Sequence, residues 1–514
     1  MAIFTLTNII VSLATLYLAK RIYYEATTGT RRRTLANQHS CLPAPKRLNT
    51  VFPSYLPTLG LDLMIANYRN IRANTLIFSW DACLKASNAH TIGVKIFGVK
   101  DTFMTNDPDN VKCLLATDFD KWSLGQERIQ MMSSYLGYGV FTNEGAAWKH
   151  SREMLRPCFE RTAVADVSVL NKHTERFIGL LPTDGGEVDL QPLFHELTLD
   201  IATEFLFGRS TNVLDRGADS RDVEAFIEAY EYCGDPFFNE NYQKYGYVGL
   251  LLPDRKRKRC VKVINDFSDK VIEEELASSG DQADGKDTRY LFLHQLVQAT
   301  QDRTVIRSEL LNILAAGRDT TAALLSNLVW ELSRQPTILS RLREEIASII
   351  GDAVPTYEHL KALKYLRAIL NESQRLYPIV PTNDREALVD TVIPHGGGPD
   401  GQSPVLIPKG TYVAYHTFSM HRRPEIFGHD AEKFHPDRWL SDTFRPGWAY
   451  IPFSGGPRVC IGQNFALTET MFVVVRLVQG FEIEQRDFEA WREKLTIIAI
   501  GAGGCRVGLR RRVV

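Results

Sequence analysis

The sequence predicts a mainly α-helical chain with small β-sheets. Three observations carry that reading. Apolar residues recur at helical spacing over much of the chain, and the longest such run extends from Thr304 to Gln335, where Pro336 stops it. Between Pro378 and Tyr415, Val, Ile and Leu instead alternate among frequent Pro and Gly, the pattern of short strands and turns. The 514 residues are 44% hydrophobic and 24% charged, which is material for a large core. Length alone suggests two or three domains, and no internal repeat is visible.

Taken in order, residues 1–19 hold no charge and as a helix would reach roughly 28 Å, about one hydrocarbon core. Thr5, Thr7, Asn8, Ser12 and Thr15 dilute the run, and Lys20 and Arg21 end it. A signal peptide is the competing reading. The start lacks basic residues and no small-x-small cleavage pattern precedes Lys20, so an uncleaved transmembrane anchor is expected. Arg31, Arg32, Arg33, Lys46 and Arg47 follow it, and the positive-inside bias then keeps the rest of the chain in the cytosol. Residues 20–57 read as a basic linker stiffened by Pro43, Pro45, Pro53 and Pro57. Residues 58–514 form the folded part.

Within that part, Ser278 to Asp287 is polar and rich in Gly and Asp, a surface loop between helical blocks. Gly396 to Gly401 satisfies G-x-G-x-x-G, but no strand is expected to run into it and Pro399-Asp400-Gly401 blocks a following helix, so it reads as a turn. Arg255 to Arg259 is an unbroken basic run, which could be a localisation or nucleic-acid patch but is more commonly a solvated helix start, with anionic lipid headgroups as a third option. The formal net charge of −1 gives no electrostatic case for nucleic acid as a partner. Eight scattered cysteines form no C-x-x-C pair or disulfide framework, which suits a reducing compartment, and no zinc pattern is present.

The chemistry lies in Phe453 to Gly462, which fits F-x-x-G-x-R-x-C-x-G. Chance would supply such a match in a chain this long on the order of once in ten thousand. Cys460 is suited to bind haem iron as the thiolate. Gly456 and Gly462 would let the backbone turn tightly and bring N–H groups to the sulfur. The apolar run from Gln463 reads as a helix whose positive end favours the anion. Phe453 would wall off water, and Arg458 would pair with a haem propionate. A buried free cysteine in a Gly-rich turn is the competing reading.

Three further patterns gain meaning beside it. The long helix contains Ala316-Gly317-Arg318-Asp319-Thr320-Thr321, where small residues would leave room for dioxygen and Asp319 with Thr320 would relay protons. The competing reading has Thr320 bonded to the preceding turn and Asp319 in a surface ion pair. Glu372 and Arg375 stand one helical turn apart, and Arg438 in Phe434 to Trp439 can complete a buried structural network with them. Trp148 and Arg152 share a helix face suited to a propionate.

With these motifs in this order, the chain resembles a cytochrome P-450 from the anchor to the C-terminal strands. The resemblance implies one mostly helical catalytic domain over 58–514, haem b with iron ligated by Cys460, and electrons from a separate NADPH-dependent flavoprotein reductase. It also implies insertion of one atom of dioxygen into a C–H bond, at the endoplasmic reticulum membrane and facing the cytosol. Leu136 to Thr142, Trp148 to Pro157, Ala315 to Ala322 and Gly396 to Gly401 are similar to fungal alkane and fatty-acid hydroxylases, so an apolar long-chain substrate or a lipid- or polyketide-like intermediate of secondary metabolism is expected. Ile379 to Arg385 departs from that pattern by placing Asn383 and Asp384 near the pocket, and Arg385 is expected at a propionate, as in many relatives. The alternatives are a haem-thiolate isomerase or dehydratase acting on a peroxide, which needs no proton relay, and a non-catalytic haem sensor.

Overall fold

The run that Pro336 stops forms one helix of 32 residues, Arg303–Arg334, in the computed structural model. The structure describes residues 2–46, 60–95, 100–159, 165–208, 210–215, 221–235, 240–245, 249, 252–278 and 292–512. The expected surface loop after Ser278 and the prolines at 53 and 57 lie outside the described residues. Helices that matter below are α1 (Ala2–Tyr24), α2 (Thr30–Gln38), α3 (Gln126–Leu136), α4 (Gly145–Leu155), α5 (Leu190–Phe207), α6 (Arg221–Gly234), α7 (Arg255–Ser278), α8 (Arg303–Arg334), α9 (Lys364–Leu376) and α10 (Gln463–Gly480). The strands are β1 (Thr91–Val94), β2 (Thr102–Thr105), β3 (Trp122–Ser123), β4 (Asp184–Asp189), β5 (Asn383–Ala387), β6 (Thr391–Gly397), β7 (Ser403–Ile407), β8 (Tyr412–Tyr415), β9 (Phe481–Gln485), β10 (Glu493–Leu495), β11 (Ala499–Gly501) and β12 (Arg506–Arg511).

The chain divides into two units. The smaller comprises residues 1–64, 81–123 and 384–416. Its sheet has the order β1-β2-β8-β5-β3, with β2 and β8 parallel and the β1–β2 and β3–β5 pairs antiparallel. Here one expectation is corrected. A strand does run into the Gly-rich stretch: β6 ends at Gly397 and pairs with β7, so Gly396 to Gly401 is a hairpin turn, closed by Gly396 N–H donating to the Gly401 carbonyl at 2.8 Å. Pro394 and the glycines mask the strand alternation in the sequence. The stretch read as a linker is ordered where described. It is helical through α2, Arg31 and Arg32 pair with Asp390 at 2.7 and 3.0 Å, and Leu42 N–H and the Pro45 carbonyl bond to Pro404 and Gly93.

Residues 2–24 are helical, yet no helix among the described residues is long and apolar enough to cross a membrane. The hydroxyl and amide residues of α1 lower its apolarity below that of a clear span. Its Ile9, Ile10, Val11, Leu13, Leu16, Tyr17 and Leu18 are all exposed and spread round the helix instead of forming one stripe.

The larger unit comprises residues 65–80, 124–383 and 417–514. Its core is built on α8, packed by α5, α9 and α10 and by the β4-β12-β9 and β10-β11 sheets. Helix α8 starts sharply because the Asp302 carboxylate accepts from Thr304 and Val305 N–H at 2.8 and 3.4 Å. Helix α5 ends at Gly208, whose φ of 73° supplies the left-handed cap.

Candidate active site

The cysteine loop is a short 3₁₀ turn, Gly456–Arg458, delivered into α10. Gly456 has φ 66°, the left-handed value that the turn requires. Gly462 does not share that duty. Its φ is −90°, and it is the N-cap of α10, where a Cβ would come within 3.4 Å of the Phe159 ring. The glycine with no room for a side chain is Gly455, whose Cβ would meet the Trp448 indole at 2.5 Å. The Cys460 N–H donates to the Phe453 carbonyl at 3.0 Å, closing the loop round the sulfur. Phe453 itself is half-buried against the core.

Cys460 is exposed by surface area, yet burial pushes its thiol up from the ordinary value. The two facts agree if the sulfur opens onto an interior space instead of the outer surface. The Gly462 N–H bonded to the sulfur and the charge of Arg152 oppose that shift. Protein alone therefore holds the thiol neutral, and a metal cation would overturn this because coordination deprotonates a thiol outright.

Trp148 is buried on α4, and Arg152, half-buried one turn later, is the cation that acts on Cys460. Arg458 stacks on the Trp148 ring at 4.5 Å and donates to the carbonyls of Asn143 (2.8 Å) and Val140 (3.4 Å). The structure thus brings Trp148, Arg152, Arg458 and Cys460 into one neighbourhood from segments 300 residues apart. Arg385 belongs to the smaller unit. It is buried on β5, donating to the Asp384 carbonyl at 2.6 Å with its guanidinium over the Tyr415 ring. Asn383 accepts from Arg128 of α3 at 2.5 Å.

On α8, the Thr320 hydroxyl donates to the Ala316 carbonyl at 2.5 Å, which leaves its oxygen lone pairs as acceptors. Asp319 is paired within the larger unit, with Arg318 Nη1 at 3.2 Å and His195 Nδ1 at 3.5 Å. Desolvation pushes its carboxyl up, but Arg318 and His195 outweigh this and hold it below the usual range. Gly317 faces α5, where a Cβ would make an ordinary contact with Ala202 at 3.7 Å, so helix packing does not require a glycine there.

Two residues that the sequence reading missed tie these parts together. Asn312 is fully buried on α8; it accepts from the Phe141 N–H at 3.0 Å and donates to the Leu136 carbonyl at 3.1 Å. It thereby pins the Leu136 to Asn143 loop, whose other end holds Arg458, to the helix of Asp319. Glu469, buried on α10, is hydrogen-bonded to Thr321, and desolvation raises its carboxyl far above the usual range. The helix that starts at the cysteine is thus bonded beside Thr320. A polar residue on an apolar helix gives no signal of this until its distant partner is placed.

Glu372, Arg375 and Arg438 form one buried network. Arg375 donates twice to Glu372, both at 2.9 Å, and to the carbonyls of His421, Ala431 and Lys433. Glu372 also accepts from Arg438 (3.0 Å), the Trp439 indole (2.9 Å) and the His435 N–H (2.8 Å). Every charge is met, and the network clamps the segment 421–439 that leads to the cysteine loop.

A model of the family described as Cytochrome P450 matches residues 81–499. The chain belongs to the cytochrome P450 family. It is 38% identical to the cytochrome P450 monooxygenase himC of Aspergillus japonicus over 95% of this chain and 87% of that protein. It is 35% identical to the cytochrome P450 monooxygenase fsdH of Fusarium heterosporum over 93% and 85%. It is 44% identical to cytochrome P450 52A4 of Candida maltosa over 78% and 76%. This cytochrome P450 is a monooxygenase whose cofactor is haem, with the iron bound by a cysteine thiolate. The residues present fit that group, since an accessible thiol sits at a helix N-terminus with an N–H on its sulfur and Trp148, Arg152 and Arg458 beside it.

Proposed function

We propose that this cytochrome P450 hydroxylates an apolar, long-chain substrate at the endoplasmic reticulum membrane, with electrons from an NADPH-dependent flavoprotein reductase. Haem iron held by a thiolate supplies reductive activation of dioxygen and insertion of one oxygen atom into a C–H bond. Cys460 Sγ is the ligand in this reading, and the Gly462 N–H and Arg152 stabilise negative charge on it. Trp148, Arg152 and Arg458 hold the propionates, and Phe453 screens the sulfur from water. Asp319 holds and passes protons, and Thr320 Oγ1, its own hydrogen engaged at Ala316, presents its lone pairs as a hydrogen-bond acceptor on that path.

The observation that carries the reading is the pairing on one turn of α8 of Thr320 with Asp319, whose carboxyl Arg318 and His195 hold below the usual range. A sensor or a peroxide isomerase has no use for such a relay. Exposed Met131, Val380 and Ile497 support an apolar substrate, fatty acid, alkane or lipid- or polyketide-like intermediate, while Asn383 with Arg128 supports one polar group on it. The exposed apolar residues of α1 support membrane attachment. A cleft of about 530 Å³ beside α10, lined by Lys361, Lys364, Arg367 and Asn464, supports docking of an acidic reductase surface. Turnover of fatty acids and alkanes by the purified protein with reductase, NADPH and dioxygen tests the reading. Hydroxylated product is expected; turnover of a hydroperoxide alone, with none under reductase, would replace it by the isomerase.

A further inference from the structure

Helices α6 and α7 pack antiparallel, in a register that three contacts fix. Asp222 pairs with Lys270 at 2.9 Å, the Phe226 and Phe267 rings stack at 4.5 Å, and Arg257 donates to the Cys233 carbonyl at 2.9 Å. Cys233 lies two turns after Phe226 and Cys260 two turns before Phe267, so the same register sets the two cysteines opposite each other, and their thiols are within hydrogen-bond reach. The two sulfurs are not alike. Cys233 is buried, and desolvation pushes its thiol up to about 12. Cys260 is half-buried; burial raises its thiol as well and Asp254 adds to this, but Lys256, Arg259 and Arg257 of the basic run oppose it. An oxidant therefore meets Cys260 first, with Cys233 behind it as the second thiol. The pair also sits beside two anchors: Glu231 of α6 holds Arg318 of α8 at 2.7 Å, and Arg257 of α7 donates to the Met131 carbonyl of α3 at 3.1 Å.

We propose that Cys233 and Cys260 form a redox-sensitive pair that hydrogen peroxide closes into a disulfide between α6 and α7. Hydrogen peroxide is what a monooxygenase releases when electrons reach dioxygen without oxygen transfer to substrate. The Cys260 thiolate attacks one peroxide oxygen, the O–O bond breaks, and the departing hydroxide takes up the thiol proton as water, leaving a sulfenic acid. The Cys233 sulfur then attacks the Cys260 sulfur. The S–S bond forms, the S–O bond breaks, and hydroxide leaves with the Cys233 proton as a second water. The cysteines lose two electrons and the peroxide gains them. The bond ties α7 to the end of α6 that holds Arg318, so oxidation stiffens the contact of α3, α6 and α8 with α7. In a reducing compartment such a bond is transient and reports on oxidant.

The test treats the reduced, haem-loaded full chain with hydrogen peroxide at doses that leave its carbon monoxide difference spectrum unchanged, then alkylates the remaining thiols and digests the protein for mass spectrometry. A linked Cys233–Cys260 peptide that dithiothreitol releases is expected; recovery of both cysteines in alkylated form, or links between other cysteines only, would overturn the proposal. In Cys233→Ala the sulfenic acid on Cys260 should persist and take up dimedone, whereas Cys260→Ser should leave Cys233 unlabelled. Label on Cys233 instead of Cys260 would overturn the order of attack. Closing the chain between residues 233 and 260 should raise the melting midpoint of the parent by about 3 °C, reversibly with dithiothreitol. Neither variant should show that rise, and an equal rise in both would deny that this bond causes it.

Discussion

At the scale of single residues, the chemistry turns on where a few hydrogens are held. Thr320 gives its hydrogen to the Ala316 carbonyl, which satisfies the competing description of a back-bonded helix threonine and also aims its lone pairs outward. One geometry serves both, so replacement has to decide. Thr320→Ala should raise peroxide per NADPH on the order of tenfold while haem content stays unchanged; parental coupling would remove the hydroxyl from the mechanism. Cys460, Asp319 and Arg458 could be singled out in the sequence because their spacing is rare or their residue types are chemically committed. Asn312, Glu469 and His195 could not, since each looks like an ordinary polar interruption of a helix until the segment it bonds is brought beside it.

Among elements, α8 and α10 are the frame, and the Glu372 network fixes what precedes α10. The side chains of Glu372 and Arg375 have no exposed surface, so their bonds to each other and to the surrounding carbonyls, Arg438 and Trp439 are what compensate for lost hydration. Glu372→Gln keeps the shape but leaves the buried Arg375 without its counter-ion, while Arg438 keeps Asp430 at 3.1 Å. It should lower stability by about 3–5 kcal/mol in denaturant unfolding of the haem-loaded protein; a midpoint within error of the parent would show the network to be dispensable. The end of α8 was legible because Pro336 cannot continue a helix, whereas the cap at Asp302 shows only in the structure. The end of strand β6 was not legible, because Pro394 and two glycines interrupt its alternation, and neither was the ordering of residues 25–46, whose prolines suggested a stiffened linker while their backbone groups bond to β7 and β1.

For the whole molecule, the family and its cofactor were legible in four short motifs, whereas substrate choice is spread over segments that share no motif. Membrane attachment belongs to this scale too. Helix α1 presents apolar side chains on all sides, and Arg31 and Arg32 hold the following helix to Asp390. Removing residues 2–24 should shift the protein from sedimenting with lipid vesicles to the supernatant, with hydroxylation of a soluble short-chain substrate retained; unchanged sedimentation would assign membrane contact to another surface, such as Arg255 to Arg259. The claim on which the rest depends is that Cys460 is the thiolate that binds the iron. The carbon monoxide difference spectrum of the reduced Cys460→Ser protein tests it most directly. We expect haem still to be retained but the thiolate-type band of the parent to be absent, and a variant that kept that band would contradict the assignment.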